Sequence, residues 1–494
     1  MEWLKRIFSY SELEKSLLNS STEPSLFTKY SETVSACGEE IHIVNAPASN
    51  NKKIALAHRA IFVHGLGGNA LCFAHIGESI DQFCGIVVID LPGSGKSPPA
   101  KDKSIYNPFR LVELINEVIE ITCKGSPFVM IGHSYGTTHC LRVATGRLKD
   151  QCLGVICISP PFHMPLSPYL RTTLRYTPVT VFNTLFRSRD RVGGLYSPSV
   201  NRMVSTQAST FAREQQMRIN LHSDSSVVLE TIIRMQFYDP EIDFYPSCPV
   251  LVICASDDKV CPTSRSKELY ETLKEHTAAE FYEISNAGHA VLFERYEIIS
   301  GVVSSFFADK VDERLSLSWQ LRHLASMDDK WSLKNEEKWK NLEPVSDFVG
   351  DTFFKGMKVL REGDAIHSPA AFEKLHPEVR FIIDISREVP PYDPATFNRV
   401  EYTKYPTVSK VPPSKIEVNN WIALVNDLRK SLNPGEAIGV HCHYGFNRTG
   451  FFVCSYLVQQ LNYTVAAAID AYAKARPPGM RHQHFINELY VRYE

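Results

Sequence analysis

Short apolar, β-branched runs that stop abruptly in glycine-rich turns set the strongest limit on what this chain folds into. Ala60-Ile-Phe-Val and Ile86-Val-Val-Ile-Asp are two such runs; Phe128-Val-Met-Ile and the stretch 153–158 follow, separated by helix-length mixtures of polar and apolar residues. Strands covered on both faces read as continuous apolar runs, and strands alternating with helices build a doubly wound α/β sheet. From about 162 to 244 the rhythm stops and Pro-interrupted apolar and basic segments take over. It resumes at Pro249-Val-Leu-Val-Ile-Cys and at Glu280-Phe-Tyr-Glu-Ile. The interruption is expected to be a helical lid inserted into the sheet domain.

A second α/β pattern follows: Phe381-Ile-Ile-Asp, Glu401-Tyr-Thr-Lys-Tyr, a helix around 415–432, the strand Ala437-Ile-Gly-Val-His, and helices at 449–461 and 464–475. The 494 residues exceed what one core organises. The expected domains are therefore 1–310 and 346–494, joined by a charged, Trp-containing helical linker at 311–345. Apolar residues make up 44% and charged residues 22%, with a formal net charge of −2. That balance describes a soluble globular protein and argues against a bulk electrostatic grip on nucleic acid or anionic membrane, though a local basic rim would not register in the total. The twelve cysteines are scattered, several inside apolar runs as at Cys157 and Cys254, so buried free thiols are expected. The first ten residues lack a sustained apolar region, and no later stretch approaches the ~20 apolar residues a span requires. Neither signal peptide nor membrane span is expected.

Residues 441–450 read His-Cys-His-Tyr-Gly-Phe-Asn-Arg-Thr-Gly, placed after an apolar strand and before a helix. A Cys-x5-Arg spacing lets the loop curl so that successive N–H groups and the helix N-terminus face one phosphate. The same field lowers a thiol pKa, which makes Cys442 the expected nucleophile. Arg448 offers a planar fork for two phosphate oxygens. Thr449 is expected to assist departure of the sulfur, Gly445 to allow close backbone approach, and His441 to orient the loop. His441, His443, Tyr444, Gly445, Phe446, Asn447 and Thr449 together form the expected substrate-binding loop.

This region resembles the dual-specificity phosphatase superfamily, and within it the RNA 5′-triphosphatase branch of metazoan mRNA capping enzymes. Gly445-Phe-Asn-Arg-Thr-Gly-Phe carries the resemblance, with Ile383-Asp-Ile-Ser, Tyr392-Asp-Pro, Tyr402-Thr-Lys-Tyr and Ala475-Arg-Pro-Pro-Gly-Met. Protein phosphatases of the superfamily place an Asp on a mobile loop to protonate a poor leaving group. Residues 403–415, where that loop is expected, contain no acid. The gap fits a leaving group of low pKa, as in phosphoanhydride cleavage, while Asp393 or a phosphotyrosine substrate stays open. Lys404, Lys410, Lys415, Arg476 and Arg481 are candidates for a basic rim, or are ordinary solvated charges.

The N-terminal pattern holds a second candidate. Gly132-His-Ser-Tyr-Gly follows a strand directly, the context of a nucleophile elbow, which makes Ser134 a candidate nucleophile. His64-Gly-Leu-Gly-Gly follows an earlier strand and would lend backbone N–H groups at Gly65 and Leu66 to an oxyanion hole, with Tyr135 supplying another. Asp258 ends a later strand, with Asp257 its adjacent competitor, and His289 follows the last strand. The order Ser, Asp, His is that of the α/β-hydrolase superfamily, which residues 40–308 resemble. Asp90-Leu-Pro-Gly-Ser-Gly-Lys-Ser imitates a phosphate loop, but its spacing fails.

The expected fold class is thus α/β throughout: an α/β-hydrolase sheet with an inserted helical lid, then a dual-specificity phosphatase fold. The expected function is a cysteine-dependent phosphatase fused to a Ser-His-Asp hydrolase or esterase. The alternative is a protein tyrosine or dual-specificity phosphatase whose hydrolase-like domain is a non-catalytic scaffold. Neither chemistry calls for a metal or organic cofactor, and none is expected. The expected partners are a phosphorylated substrate (an RNA 5′ end, a phosphoprotein or a small phosphate compound) and an ester, without stable membrane insertion. A thiolate nucleophile favours a reducing compartment, the cytoplasm with or without the nucleus.

Overall fold

The computed structural model describes residues 9–19, 23–49, 54, 56–164, 167–327 and 333–494. Residues 1–8, read above as lacking a leader, 165–166 of the expected lid and 328–332 of the expected linker lie outside the described residues. The chain divides into two compact units, Met1–Ser316 and Leu317–Glu494.

Among the described residues the first unit is built on eight strands: β1 (Ser31–Ala36), β2 (Glu39–Ala46), β3 (Arg59–Val63), β4 (Gly85–Ile89), β5 (Phe128–His133), β6 (Cys152–Ile158), β7 (Val250–Ala255) and β8 (Ala279–Ile284). Their order across the sheet is β1-β2-β4-β3-β5-β6-β7-β8. β2 runs antiparallel to both β1 and β4, and the remaining pairs are parallel. Every residue of β4 and β5 is buried, as the unbroken apolar runs require when helices cover both faces. The helix Pro108–Cys123 illustrates the local logic: Asn107 caps its first turn, Pro108 supplies the preset φ, and Lys124 in the left-handed region ends it.

Between β6 and β7 the chain is helical. Ser167, Ser197, Ser209, Asp224 and Asp239 each cap the start of a helix there, which is why the strand rhythm fails across this stretch.

The second unit carries β9 (Val345–Phe348), β10 (Phe354–Met357), β11 (Val379–Ser386), β12 (Glu401–Thr407) and β13 (Ala437–His441), in the order β12-β11-β13-β10-β9. Only β9 runs antiparallel to its neighbour. β9 and β10 are four residues each and partly polar, too short to leave an apolar run in the sequence. β13 is central and feeds the helix Asn447–Leu461, whose residues from Arg448 to Leu457 are all buried.

The segment expected as a linker belongs largely to the second unit, and this corrects the boundary near 345. The helix Leu333–Lys340 brings Trp339 into the core at 1% exposure, where Trp339 Nε1 donates to Val359 O at 2.9 Å. Lys358 Nζ returns the tie, donating to Trp339 O at 3.0 Å and Leu342 O at 2.7 Å. A buried aromatic with a satisfied N–H is core rather than tether. Trp339→Ala should therefore lower the stability of the phosphate-site unit by about 3–5 kcal/mol in chemical denaturation, where a tether residue would cost almost nothing.

Candidate active sites

β13 ends at His441, and the chain turns sharply before the helix Asn447–Leu461 begins. The turn depends on Gly445, at φ +71°, where a Cβ would lie 2.2 Å from the carbonyl oxygen of Met357. No other residue fits that approach. The Gly445 carbonyl accepts from Tyr472 Oη at 2.7 Å and Arg476 Nε at 3.1 Å, while Arg476 Nη2 donates to Tyr444 O at 3.0 Å. With its carbonyls held away, the loop turns the N–H groups of Gly445 and Thr449 toward Cys442 Sγ.

Cys442 is 6% exposed. Burial alone would push its thiol up, but the Arg448 charge, the Thr449 hydroxyl and those N–H groups outweigh it and set the thiol below its ordinary value. Thr449 Oγ1 donates to Sγ at 3.3 Å. Arg448 is itself buried, with Nη1 donating to Thr407 O at 2.9 Å and Ile385 O at 3.3 Å, so the ends of β11 and β12 aim the guanidinium.

His441 holds the loop from inside the unit. It is fully buried, Nδ1 donates to Cys442 O at 3.0 Å, and Nε2 accepts from Tyr392 Oη at 2.9 Å. Burial lowers its pKa despite Asp384 at 3.6 Å, which keeps the ring neutral and able to accept that bond. Asp384 is occupied by Tyr402 Oη, Lys404 Nζ and Ser386.

A cavity of about 400 Å³ opens at Cys442, and among its lining residues are His443, Tyr444, Phe446, Arg448, Lys410 and Arg481. Asn447 also reaches it, while its Oδ1 accepts from the backbone N–H groups of Arg481 and His482. The Arg481 guanidinium lies 3.9 Å from the centre of the Phe446 ring. The proposed basic rim is thereby reduced. Lys404 turns inward onto Asp384, Arg476 is 3% exposed and spent on the loop carbonyls, and Lys415 opens a helix outside the cavity lining. Asp393 caps the turn Pro394–Thr396 and does not line the cavity. Residues 403–407 complete β12, leaving only 408–414 as loop.

In the first unit, Ser134 sits at φ +52° between β5 and the helix Gly136–Thr145. The flanking glycines have no room for a side chain: a Cβ at Gly136 would lie 2.1 Å from Val63 O, and one at Gly132 2.7 Å from Thr137 N. Gly65 packs as tightly, its Cβ position 2.7 Å from Ser134 Cβ, which brings the 65–68 loop against the serine. His64 fixes that loop, donating from Nδ1 to Gly65 O at 2.8 Å and accepting the Leu91 N–H at Nε2 at 3.1 Å. Leu66 and Tyr135 line a small cavity along the same loop.

Asp258, rather than the exposed Asp257, meets His289: Oδ2 accepts from Nδ1 at 2.7 Å, and Oδ1 accepts the N–H groups of Val260 and Cys261. Burial opposes ionisation of Asp258, but His289 and those N–H groups hold its carboxyl below the usual range. His133 Nε2 donates to His289 O at 3.0 Å. Among the described residues no hydrogen bond joins Ser134 Oγ to His289. No group of three His, Cys, Asp or Glu side chains among the described residues is arranged to hold a metal ion.

Residues 365–494 match the family described as dual specificity phosphatase, catalytic domain, and residues 61–296 match the alpha/beta hydrolase fold. A tyrosine-protein phosphatase of Autographa californica nuclear polyhedrosis virus is 32% identical over 120 residues, 24% of this chain and 71% of the viral protein. The chain belongs to the dual specificity phosphatase family and carries an α/β-hydrolase domain. The mRNA-capping enzyme of Danio rerio is 52% identical over 60 residues, 12% of this chain; the chain covers only 10% of that enzyme. An abhydrolase domain-containing protein of Schizosaccharomyces pombe is 25% identical over 275 residues, 52% of this chain and 72% of that protein.

Sequence reasoning missed two parts of this dual specificity phosphatase site. Arg476 stood as a candidate rim charge and within Ala475-Arg-Pro-Pro-Gly-Met, with no sign that it holds the loop carbonyls. Glu388, in Arg387-Glu-Val-Pro-Pro just past β11, is the one carboxylate among the described residues lining the cavity. Because the Cys442 thiol is lowered, alkylation of Cys442 by iodoacetamide should rise with pH and level off at a midpoint below that of an ordinary thiol. Thr449→Val removes a donor to the thiolate and should move that midpoint upward.

Proposed function

We propose that the chain is a bifunctional hydrolase. In the second unit Cys442 attacks phosphorus: an S–P bond forms as the bridging P–O bond breaks, and the electron pair leaves with the departing group. Arg448 and the loop N–H groups stabilise the equatorial oxygens, most strongly in the transition state. Water then attacks the phosphocysteine, and the sulfur leaves as thiolate toward the Thr449 hydroxyl.

The substrates that suit this site have good leaving groups, as in an RNA 5′-triphosphate end or a phosphotyrosine. The absence of an acid from residues 408–414 carries this reading, and the likeness to capping enzymes supports it. Lys410 and Arg481 at the cavity would meet additional phosphates. The cytoplasm, with or without the nucleus, suits the thiolate. In the first unit Ser134, His289 and Asp258 would cleave an ester, with Gly65, Leu66 and Tyr135 donating to the oxyanion. That step requires Ser134 Oγ to turn onto His289. The unmade bond favours a second reading for this unit alone, a folded scaffold without turnover.

Phosphate release from triphosphate-ended RNA, a phosphotyrosyl peptide and a phosphoinositide separates these readings. Cys442→Ser should abolish release from whichever substrate is used, and equal activity of that variant would end the phosphatase mechanism. Glu388→Gln should change phosphoanhydride hydrolysis little; a loss of ~10²-fold or more would make Glu388 the leaving-group acid and move the substrate class to monoesters. A fluorophosphonate probe should label Ser134 and fail on Ser134→Ala, whereas a folded wild type that resists labelling is a scaffold.

A further inference from the structure

The first two helices of the insertion, Pro168–Tyr176 and Val179–Arg191, display apolar side chains to solvent. Tyr169 is 83% exposed, Tyr176 79% and Leu185 61%, with Leu170, Val179 and Val181 exposed beside them. No residue of Pro168–Tyr176 is buried. Single apolar residues on a surface mean little, but a concentration of this kind within one short segment marks an interaction face.

The charge pattern says what kind. Residues 160–189 contain arginines at 171, 175, 187 and 189 and no Asp or Glu, and Asp190, next in the second helix, is buried, in a chain whose net charge is −2. The neutrality of the whole conceals a local cationic patch. Arg171 donates to Met235 O and Arg187 to Asn220 O and Ser223 O, so these two charges meet carbonyls, while Arg191 at the end of the second helix pairs with Glu14. Arg175 and Arg189, in the last turns of their helices, are exposed. Aliphatic side chains that enter an acyl boundary, tyrosines that sit at headgroup level, and arginines that meet lipid phosphates are the elements of an interfacial helix.

We propose that these two helices seat the chain peripherally on an anionic bilayer. Among the described residues no helix is long and apolar enough to cross a membrane, so the seat is a surface one. The inference does not depend on whether Ser134 is active.

The test uses the full chain and sedimentation with vesicles of phosphatidylcholine alone or mixed with phosphatidylserine. The chain should pellet with the mixed vesicles, stay in solution with phosphatidylcholine alone, and dissociate as salt is raised. Tyr176→Ser with Leu185→Ser should weaken partitioning roughly tenfold, and Arg175→Gln or Arg189→Gln about fivefold each. Hydrolysis of a small aryl phosphate and the thermal unfolding profile should stay as in the wild type, which separates lost binding from lost folding. Failure of the wild type to bind mixed vesicles, or equal binding by the variants, overturns the proposal. So does crosslinking of residues 168–191 to a protein surface, in this chain or another, that vesicles do not displace.

Discussion

A sulfur that must carry negative charge while almost shut off from water is the constraint around which the second unit is arranged. Desolvation disfavours the thiolate, and a fixed guanidinium, a hydroxyl and two backbone N–H groups outweigh that cost. Each of those is in turn held by something further out. β11 and β12 lend carbonyls to Arg448, Arg476 and Tyr472 grip the loop, and the neutral His441 braces it from beneath. The site is therefore the focus of the sheet rather than an addition to its edge.

The two units reach comparable geometry from unrelated sequences. In each, a strand of the parallel sheet ends in a turn whose backbone enters the left-handed region, at Ser134 and at Gly445, before a buried helix begins. In each, a glycine is pressed against a carbonyl oxygen of a neighbouring strand, Val63 in one and Met357 in the other. The strained turn lifts the reacting side chain away from the strand, and the missing Cβ lets the turn close. The units differ in readiness. Cys442 already has its activating partners around it, whereas Asp258 and His289 are bonded to each other and, among the described residues, not to Ser134.

The sequence made the sheets and the reacting residues legible because both leave strong local marks. Unbroken apolar runs require two covered faces, and Gly-x-Ser-x-Gly and Cys-x5-Arg each encode a turn that few other residues tolerate. What it did not reveal were long-range ties. Nothing local indicates that Lys404 turns inward to Asp384 or that Arg476 is spent on loop carbonyls, and so both resembled rim charges. Trp339 looked like part of a tether because a short polar helix around one aromatic carries little periodicity. β9 and β10 escaped notice for the same reason. Asp258 is told from its neighbour Asp257 by its bond to His289, and that tie, like the inward place of His441, needed the third dimension.

The bond from Asn447 Oδ1 to the backbone of Arg481 and His482 joins the start of the central helix to the segment that leads into the last one, Gln483–Tyr493. Phe446 and Arg481 stack across the same joint. One wall of the phosphate cavity is thus supplied from more than thirty residues away in sequence by an element that contributes no reacting atom. Drift in that terminal helix would be felt as altered recognition while the chemistry stayed intact. This gives a fold with a nearly invariant reaction centre a separate place at which to change its choice of substrate.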